Sequence, residues 1–440
     1  MENTATRFQT RVDSVRTERN ATRSARVAVA IAAWFAAILT AAPHASAQVA
    51  VRAKRLHTMR GPAIENGVVL IRDGKIAAVG REGEVSIPPD VETFSAEIAM
   101  PGLIDARTTV GVSGILNVPH DQDQLERTAS MQPELRAVDA YNAHDPLVEW
   151  VRGFGVTTIH TGHAPGELIS GQTMIVKTFG RTVEDAMIRD SAAIAVTLGS
   201  AARKEGAASP GTRGKMIAML RAELIRADEY RSKMKRAGAE PRDGAAQPDG
   251  ESPARDLRLE TLARALDGDL PLLVTADRAP DIASALRLAR EFSLRVWLDS
   301  AAESYLLTDA ILEAKVPVIV HPAMARAIDD RENLSFETAG RLSAAGIPIA
   351  LQSGYEAYVP KTRVVLFEAG VAAAHGLPID TALRAVTVDA ARLLGIDHRV
   401  GSLAVGMDGD VALFDGDPFE YTSHCVGVVI DGRVVSRGKR

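Results

Sequence analysis

The chain has 440 residues, which is too long for one small module and fits either two or three ordinary domains or one α/β barrel with a small companion domain. Hydrophobic residues make up 46% and charged residues 24%, as in ordinary globular proteins, whereas aromatic residues make up only 4%. With 51 Lys and Arg against 56 Asp and Glu, the net charge is −5, so neither charge nor aromatic content favours nucleic acid as a partner.

The first 47 residues have the pattern of a secretory signal peptide. Arg23 and Arg26 precede the apolar run VAVAIAAWFAAILTAA, which is short for a bilayer span, and the small-x-small sequence ASA ends at Ala47. We therefore expect a periplasmic or secreted protein, cleaved after about Ala47, with no stable membrane span after cleavage. An uncleaved membrane anchor is the alternative. The single Cys425 cannot form an internal disulfide, and its apolar surroundings predict a buried thiol.

Both ends of the mature chain are rich in short strands. Residues 48–102 contain three β-branched runs with a tight turn predicted at Asp73-Gly74, and residues 401–440 have the same texture of apolar runs separated by Gly and Asp. Neither segment can bury a large core alone. We therefore predict that the two segments pair into one composite β-sandwich domain.

Between these ends, residues 103–400 alternate short apolar strands with stretches of helical period. The eight candidate strands are LIDAR (103–107), VTTIH (156–160), TMIVK (173–177), AIAVTL (193–198), LLVTA (272–276), RVWLD (295–299), PVIVH (317–321) and PIALQ (348–352). This alternation predicts parallel βα units and an α/β fold, most simply a (β/α)8 TIM-like barrel with its chemistry at the carboxyl ends of the strands. A helix predicted around 215–235 is followed by a Gly, Pro and charge-rich stretch at about 237–255, which we interpret as a flexible insertion.

Two long motifs carry a family resemblance. The junction AMPGLIDARTTVG and the closing stretch DTALRAVTVDAARLLGIDHRVGSLAVGMDGDVALFDGDP resemble the amidohydrolase superfamily, particularly its imidazolonepropionase-like and prolidase-like branch, and FGVTTIH, ISGQTMIVKT and HGLPIDTALRAVT agree with it in order. The resemblance covers essentially residues 50–440. It implies a metal-dependent barrel with a composite sandwich, and hydrolysis of C–N bonds in a small amide, cyclic amide or dipeptide-like substrate, but it does not specify the substrate.

The same resemblance implies a divalent metal that lowers the pKa of a bound water and polarises the scissile carbonyl. In the family the metal is usually held by a His-x-His pair at the end of strand 1, a His after each of strands 5 and 6, and an Asp after strand 8. At these five positions the chain has Arg107, Thr109, Thr275, Ser300 and Gly354. A guanidinium repels a divalent cation, and neutral hydroxyls are poor ligands for zinc, so the usual site is predicted to be absent.

Three histidines near strand ends could form a rebuilt site. His160 ends strand 2, His163 follows in the HTGHAPG loop, and His321 ends strand 7. We take them as candidate catalytic residues, either as ligands of a zinc-like metal or as general bases. The alternative is that each is hydrogen-bonded locally and has a structural role.

Other polar residues near the predicted mouth are candidates for holding a substrate. Arg107, Arg278 and Lys177 could bind a carboxylate or phosphate group, although ion pairing within the protein would explain them equally well. His120, beside two Asp residues, could equally belong to a polar turn. The predicted substrate-binding set is Arg107, His120, Asp277, Arg278, Asp299 and Gln352.

Two classes of function remain open from the sequence. One is an exported amidohydrolase-type enzyme acting on C–N bonds with a degenerate or rebuilt metal site. The other is a catalytically inactive barrel that binds a small molecule or a protein through the same cavity. The expected partner is a small-molecule substrate or ligand, a homo-oligomer is compatible with the sequence, and a metal cofactor is expected only if a rebuilt site exists.

Overall fold

The computed structural model describes residues 48–116, 118–204, 209–237, 254–355 and 364–438. The predicted signal peptide and nearly all of the predicted insertion at 237–255 lie outside these ranges, so export and the insertion stay predictions. Among the helices within these ranges, none is both long enough and apolar enough to cross a bilayer.

One seven-stranded sheet is built from both ends of the chain. Its strands are β1 (Gln48–Leu56), β2 (Ile64–Arg72), β3 (Lys75–Arg81), β4 (Glu92–Pro101), β13 (Val411–Phe414), β14 (Cys425–Ile430) and β15 (Arg433–Arg437). The spatial order is β15-β14-β13-β4-β1-β2-β3, so β4 joins the N-terminal strands to the C-terminal ones. Buried side chains from both ends of the chain form a separate hydrophobic core on this sheet, and Leu56, Ile71 and Leu413 are among them. The predicted composite β domain is therefore confirmed.

The turn between β2 and β3 lies where the sequence predicts it. Asp73 and Gly74 both have positive φ, 52° and 75°, as the type I′ turn of a two-residue hairpin loop requires. Asp tolerates this conformation better than most residues and Gly adopts it without steric cost.

The central part of the chain forms an eight-stranded sheet that is nearly closed into a barrel. Its strands are β5 (Leu103–Asp105), β6 (Val156–Gly162), β7 (Ile169–Lys177), β8 (Met187–Thr197), β9 (Leu272–Thr275), β10 (Val296–Ser300), β11 (Val318–Val320) and β12 (Ile349–Leu351), paired in this order. The first and last strands meet where the Ala106 amide donates to Leu351 O at 3.2 Å and the Gly354 amide donates to Arg107 O at 3.0 Å. All eight strands overlap the predicted ones, and the TIM-like fold is confirmed.

The parallel arrangement expected for the barrel is wrong for one strand. β7 is antiparallel to both β6 and β8. Only residues 163–168 connect β6 to β7, which is too short for a crossover with a helix, so the chain turns straight back. The carboxyl end of β7 therefore lies with the amino ends of its neighbours, at the end of the barrel away from the mouth.

This reversal corrects the role considered for Lys177. The Lys177 side chain is 3% exposed. Its ammonium nitrogen lies 2.8 Å from Asp408 Oδ2, 3.1 Å from Asp410 Oδ1 and 2.5 Å from Asp431 Oδ1. Burial alone would lower the pKa of Lys177, but the three carboxylates raise it above its ordinary value. Lys177 thus joins the base of the barrel to the C-terminal segment and is not available to hold an anion at the mouth.

Helices cover the outside of the barrel. They are α1 (Pro146–Arg152), α2 (Val183–Ala186), α3 (Arg213–Ala237), α4 (Leu257–Leu266), α5 (Ala279–Phe292), α6 (Thr308–Ala314), α7 (Thr338–Ala344), α8 (Val365–Ala374), α9 (Ile379–Ala385) and α10 (Val388–Leu394). Each of β9, β10 and β11 is followed by one helix and β12 by three, so their carboxyl ends point to the same mouth. Asp256 caps α4 by accepting from two amides, and α5 begins with a proline in its first turn, as expected for helix starts.

Candidate functional site

A cavity of about 190 Å³ opens at the mouth of the barrel. Thr275 and Ser300, the last residues of β9 and β10, contribute to its wall. Among the predicted substrate-binding residues, Arg107, Asp277, Asp299 and Gln352 also line the cavity. Four of the six predicted substrate-binding residues therefore meet around one cavity.

The residues at the family's metal positions do not form a metal site. The hydroxyls of Thr275 and Ser300 donate hydrogen bonds to neighbouring carboxylates, and Gly354 offers no side chain. Within the described ranges, no three His, Cys, Asp or Glu side chains are placed to hold a metal ion together. Because the donor set has a guanidinium and neutral hydroxyls where imidazoles and a carboxylate are needed, it does not fit a divalent cation.

Arg107 brings a buried positive charge to the cavity. Its side chain is 3% exposed, and its guanidinium donates to two backbone carbonyls, Thr108 O at 3.2 Å and His163 O. In the described part of the chain it forms no ion pair, since Asp299 and Asp105 act on it only at longer range. Burial lowers its pKa and these two carboxylates partly oppose the effect. A guanidinium remains charged in proteins, so Arg107 is a buried cation at the cavity that has no direct ion pair within the described ranges.

Asp105 is a buried carboxyl beneath Arg107 that sequence reasoning did not select. It accepts the Ser353 amide at 3.0 Å and the Arg107 amide at 3.2 Å, and thereby fixes the ends of β5 and β12 to each other. Burial raises its pKa to about 7, although the hydrogen bonds from Ser353 and Arg107 act in the other direction.

Asp299 and Gln352 are hydrogen-bonded to each other and to neighbouring strands. Asp299 accepts from Thr275 Oγ1 at 2.5 Å and from Gln352 Nε2 at 2.8 Å, and Gln352 also donates to Ile319 O at 3.0 Å. These bonds connect four neighbouring strands at the mouth. The two side chains therefore shape the cavity wall, and their role in binding a substrate stays a prediction.

Asp277 and Ser300 form a pair that the sequence reasoning missed. Ser300 Oγ donates to Asp277 Oδ1 at 2.5 Å, and the Ala302 amide lies 3.3 Å from the same oxygen. Burial raises the pKa of Asp277 to about 6, while the hydrogen bond from Ser300 and the charge of Arg331 partly lower it. Both residues were noted separately, but their positions after adjacent parallel strands are the signal that could have brought them together.

The three candidate histidines lie near the mouth without forming a common site. His160 is fully buried, with Nδ1 2.8 Å from Ala106 O and Nε2 2.7 Å from Thr173 Oγ1, so neither nitrogen is left to bind a metal. The ring of His321 contacts Pro322 O at 3.1 Å through Nδ1. Neither ring nitrogen of His163 has a hydrogen-bond partner within the described ranges.

All three imidazoles are held neutral. Burial lowers the pKa of His160 to about 3 and those of His163 and His321 to about 4, and the charge of Arg107 adds to the effect at His160 and His163. None of these three histidines lines the cavity. A shared metal among them is not supported by this geometry, and a role as general bases stays a prediction.

Two other predicted residues lie away from the cavity. His120 is exposed in a short 3-10 turn, Pro119–Asp121. Arg278 is 38% exposed and lies 3.4 Å from Glu332 Oε1, which fits the intramolecular pairing considered for it. Neither contributes to the cavity wall, so a direct part in binding a ligand there is not supported.

Comparison with known proteins agrees with this architecture. A model described as "Amidohydrolase family" matches residues 317–436. The chain is 25% identical over 392 residues to amidohydrolase tasK of Hapsidospora irregularis, a match that covers 83% of this chain but 39% of that protein. It is 24% identical over 403 residues to imidazolonepropionase of Streptococcus gordonii, covering 86% of this chain and 90% of the relative.

Solved structures show the same likeness. The amidohydrolase from Thermotoga maritima MSB8 superposes with a TM-score of 0.80 at 25% identity and covers 89% of this chain and 100% of that structure. A prolidase solved with N-methylphosphonate-L-proline shares only the fold, with a TM-score of 0.55 at 16% identity. Together with the barrel and the composite β domain, these matches show an amidohydrolase family domain at residues 317–436 and a likeness to amidohydrolases over most of the chain.

Proposed function

We propose that this protein binds a small amide in the mouth cavity through Arg107 and hydrolyses its C–N bond without the divalent metal that the family resemblance implies. The observation that carries the proposal is the buried guanidinium, which faces the cavity and has no ion-pair partner within the described ranges. The likeness to amidohydrolases supports the reaction class, and the guanidinium and hydroxyls at the positions of the family's metal ligands support a reaction without a metal.

Arg107 can perform one of the two tasks that a metal performs in such a site. A metal polarises the scissile carbonyl and stabilises the negative charge that develops on its oxygen. A preorganised cation in a cavity shielded from water does the same, because its interaction with the developing charge is not weakened by solvent. Because no carboxylate within the described ranges forms a direct ion pair with Arg107, its guanidinium is suited to bind a carbonyl or carboxylate oxygen.

The charge around the cavity indicates what else the substrate carries. Asp277, Asp299, Asp329 and Asp330 face the same space as Arg107 and Arg331. This arrangement can accept a molecule with an oxygen acceptor at one end and an amine or amide N–H at the other. Dipeptide-like amides have this distribution of charge, which supports the substrate class considered from the sequence.

The test compares Arg107→Met with Arg278→Met in chelator-treated protein. Arg278 is a suitable control because it is a half-exposed arginine beside the mouth that is paired with Glu332 and does not contact the cavity. Assayed against N-acyl amino acids, cyclic amides and dipeptides, Arg107→Met should lower kcat/KM by about 100-fold to 1,000-fold, as expected when a group that stabilises an oxyanion is removed. Equal activity in the two variants, or loss of activity on chelation, would refute the proposal.

A catalytically inactive binding barrel is the second candidate. It is favoured by the mutual hydrogen bonds of Thr275, Asp299 and Gln352, which occupy polar groups of the cavity wall that would otherwise be available to a substrate. In that case a ligand would raise the thermal unfolding temperature of the wild type but not of Arg107→Met, and no amide would be hydrolysed.

A further inference from the structure

We propose that Ser300 is a catalytic nucleophile activated by Asp277, so that hydrolysis in this barrel proceeds through a covalent acyl-enzyme. The proposal deepens the function given above, since it supplies the nucleophile that a metal-bound water would otherwise provide. It rests on that proposed function for the reaction class, but its own test does not require the substrate to be known.

The two side chains are already arranged for proton transfer. Ser300 Oγ lies 2.5 Å from Asp277 Oδ1, which is within the distance at which a base can remove a proton from an attacking hydroxyl. Both residues face the mouth cavity. Asp277 is itself oriented by the Ala302 amide, and its backbone carbonyl accepts the Glu303 amide at 2.8 Å. The base thus has the supporting contacts that fix its direction.

The backbone at Ser300 is strained. Ser300 and the following Ala301 have φ of 64° and 52°, a left-handed conformation that costs free energy for residues with a Cβ. Within the described ranges they are the only two consecutive non-glycine residues with positive φ. Strain of this kind concentrates at active sites, where the surrounding structure holds it in place. Here it turns the Ser300 hydroxyl out of the end of β10 towards Asp277 and the cavity.

The electrostatic surroundings allow Asp277 to act as a base near neutral pH. The groups that act on it are Ser300, Arg331, the Ala302 amide and Asp299, and burial makes its pKa about 6. A carboxylate with this pKa is mostly deprotonated at pH 7 and is a stronger base than an ordinary Asp. The neutral imidazole of His160 has both nitrogens hydrogen-bonded elsewhere, so it does not compete for this task.

The reaction balances without a further reagent. Ser300 Oγ forms a bond to the carbonyl carbon while its proton passes to Asp277, and Arg107 stabilises the resulting oxyanion. The C–N bond then breaks, and Asp277 returns the proton to the leaving nitrogen, which departs as an amine. Water attacks the acyl-enzyme with Asp277 again accepting a proton, and the Ser300–acyl bond breaks with that proton returning to Ser300 Oγ. The products are a carboxylic acid and an amine.

A fluorophosphonate tests this directly, because it phosphonylates activated serines with release of fluoride and needs no knowledge of the substrate. We expect modification at Ser300, located by peptide mass spectrometry, at a rate that rises with pH through about 6. Asp277→Asn should slow the modification by at least about 100-fold, as expected for loss of a general base. Ser200→Ala is the matched control, since Ser200 also faces the cavity but contacts a carboxylate, Asp330, through its backbone amide, and within the described ranges its hydroxyl has no hydrogen bond to a carboxylate. This variant should react at the wild-type rate.

Two substitutions of Ser300 show whether a loss of modification comes from the missing hydroxyl or from misfolding. Ser300→Gly removes the hydroxyl and suits the positive φ, so it should fold at least as well as Ser300→Ala and should resist modification. Modification elsewhere, no modification, or an unchanged rate in Asp277→Asn would overturn the role of Ser300. If amide hydrolysis persisted in Ser300→Gly and still depended on Arg107, the proposed function would stand and only the covalent step would fail.

Discussion

Replacing Lys177 with Met should destabilise the protein far more than the loss of a surface charge. In the wild type this one ammonium compensates Asp408, Asp410 and Asp431, and the side chains of the first two are 1% and 4% exposed. Met keeps the apolar stem and removes the charge. Asp408 retains Lys75 at 2.5 Å and Arg399 at 2.9 Å, but Asp410 is left without a cation within the described ranges.

The expected loss follows from the cost of an unpaired buried charge. Removing one partner of a buried ion pair costs about 3–5 kcal/mol. Residues 48–440 form one compact unit, and at about 2.1 cal/mol/K of unfolding entropy per residue this loss corresponds to roughly 4–6 °C in the unfolding temperature. The difference in unfolding temperature between the wild type and Lys177→Met should become smaller at low pH. Burial already raises the pKa of Asp410, removal of Lys177 raises it further, and protonation as the pH falls through that value relieves the unpaired charge.

Thermal unfolding followed by circular dichroism at pH 7.5 and pH 5 measures both effects. The control is Lys54→Met, which removes an ion pair with Glu97 at 2.7 Å whose side chains are 72% and 46% exposed. Exposed pairs contribute about 0–1 kcal/mol, so this variant should unfold within about 1 °C of the wild type. If Lys177→Met unfolded no earlier than Lys54→Met, or if its deficit grew at pH 5, the reasoning would be refuted.

Three further outcomes are expected. Arg107→Met should unfold at the same temperature as the wild type or higher in a thermal scan, because it removes a buried charge that has no ion pair within the described ranges. A fall of several degrees would mean that the guanidinium is structural. Protein purified without a chelator should contain less than about a tenth of an equivalent of zinc, iron or manganese, and dialysis against a chelator should leave its unfolding temperature unchanged. A stoichiometric metal would contradict the absence of a metal site at the mouth. Gly102→Ala should lower stability by about 1–3 kcal/mol in denaturant unfolding, since its Cβ would lie 2.1 Å from Thr157 Oγ1, and a neutral result would show that β6 can move aside.

Most of the architecture could be predicted from local patterns. Apolar runs bounded by turn residues located all eight barrel strands, and the Asp73-Gly74 turn followed from its residue types. The direction of β7 could not be obtained in this way, because an apolar strand buried on both faces reads the same whether its partners are parallel or antiparallel. The short connection 163–168 was the available signal.

The site was predictable in composition but not in pairing. The types of residue at the family's five metal positions could be read from the sequence alone, as could the position of Arg107 at the mouth. Whether Arg107 had a carboxylate partner, and whether Ser300 bonded to Asp277 or to solvent, depends on side-chain directions that sequence spacing leaves open. The histidines illustrate the same limit, since proximity to a strand end did not reveal that His160 has both nitrogens occupied.

The central place of β4 in the composite sheet has a consequence for biosynthesis. β4 pairs with β1 on one side and with β13 on the other, yet about 310 residues separate it from β13 along the chain. At about 5–20 residues per second, a ribosome needs roughly 15–60 s to supply that partner. During this interval the nascent chain presents a strand edge with unpaired amides and carbonyls, the feature through which strands of different molecules associate. Completion of this sheet must therefore be a late event, and the yield of soluble protein should depend on what shields β4 until then.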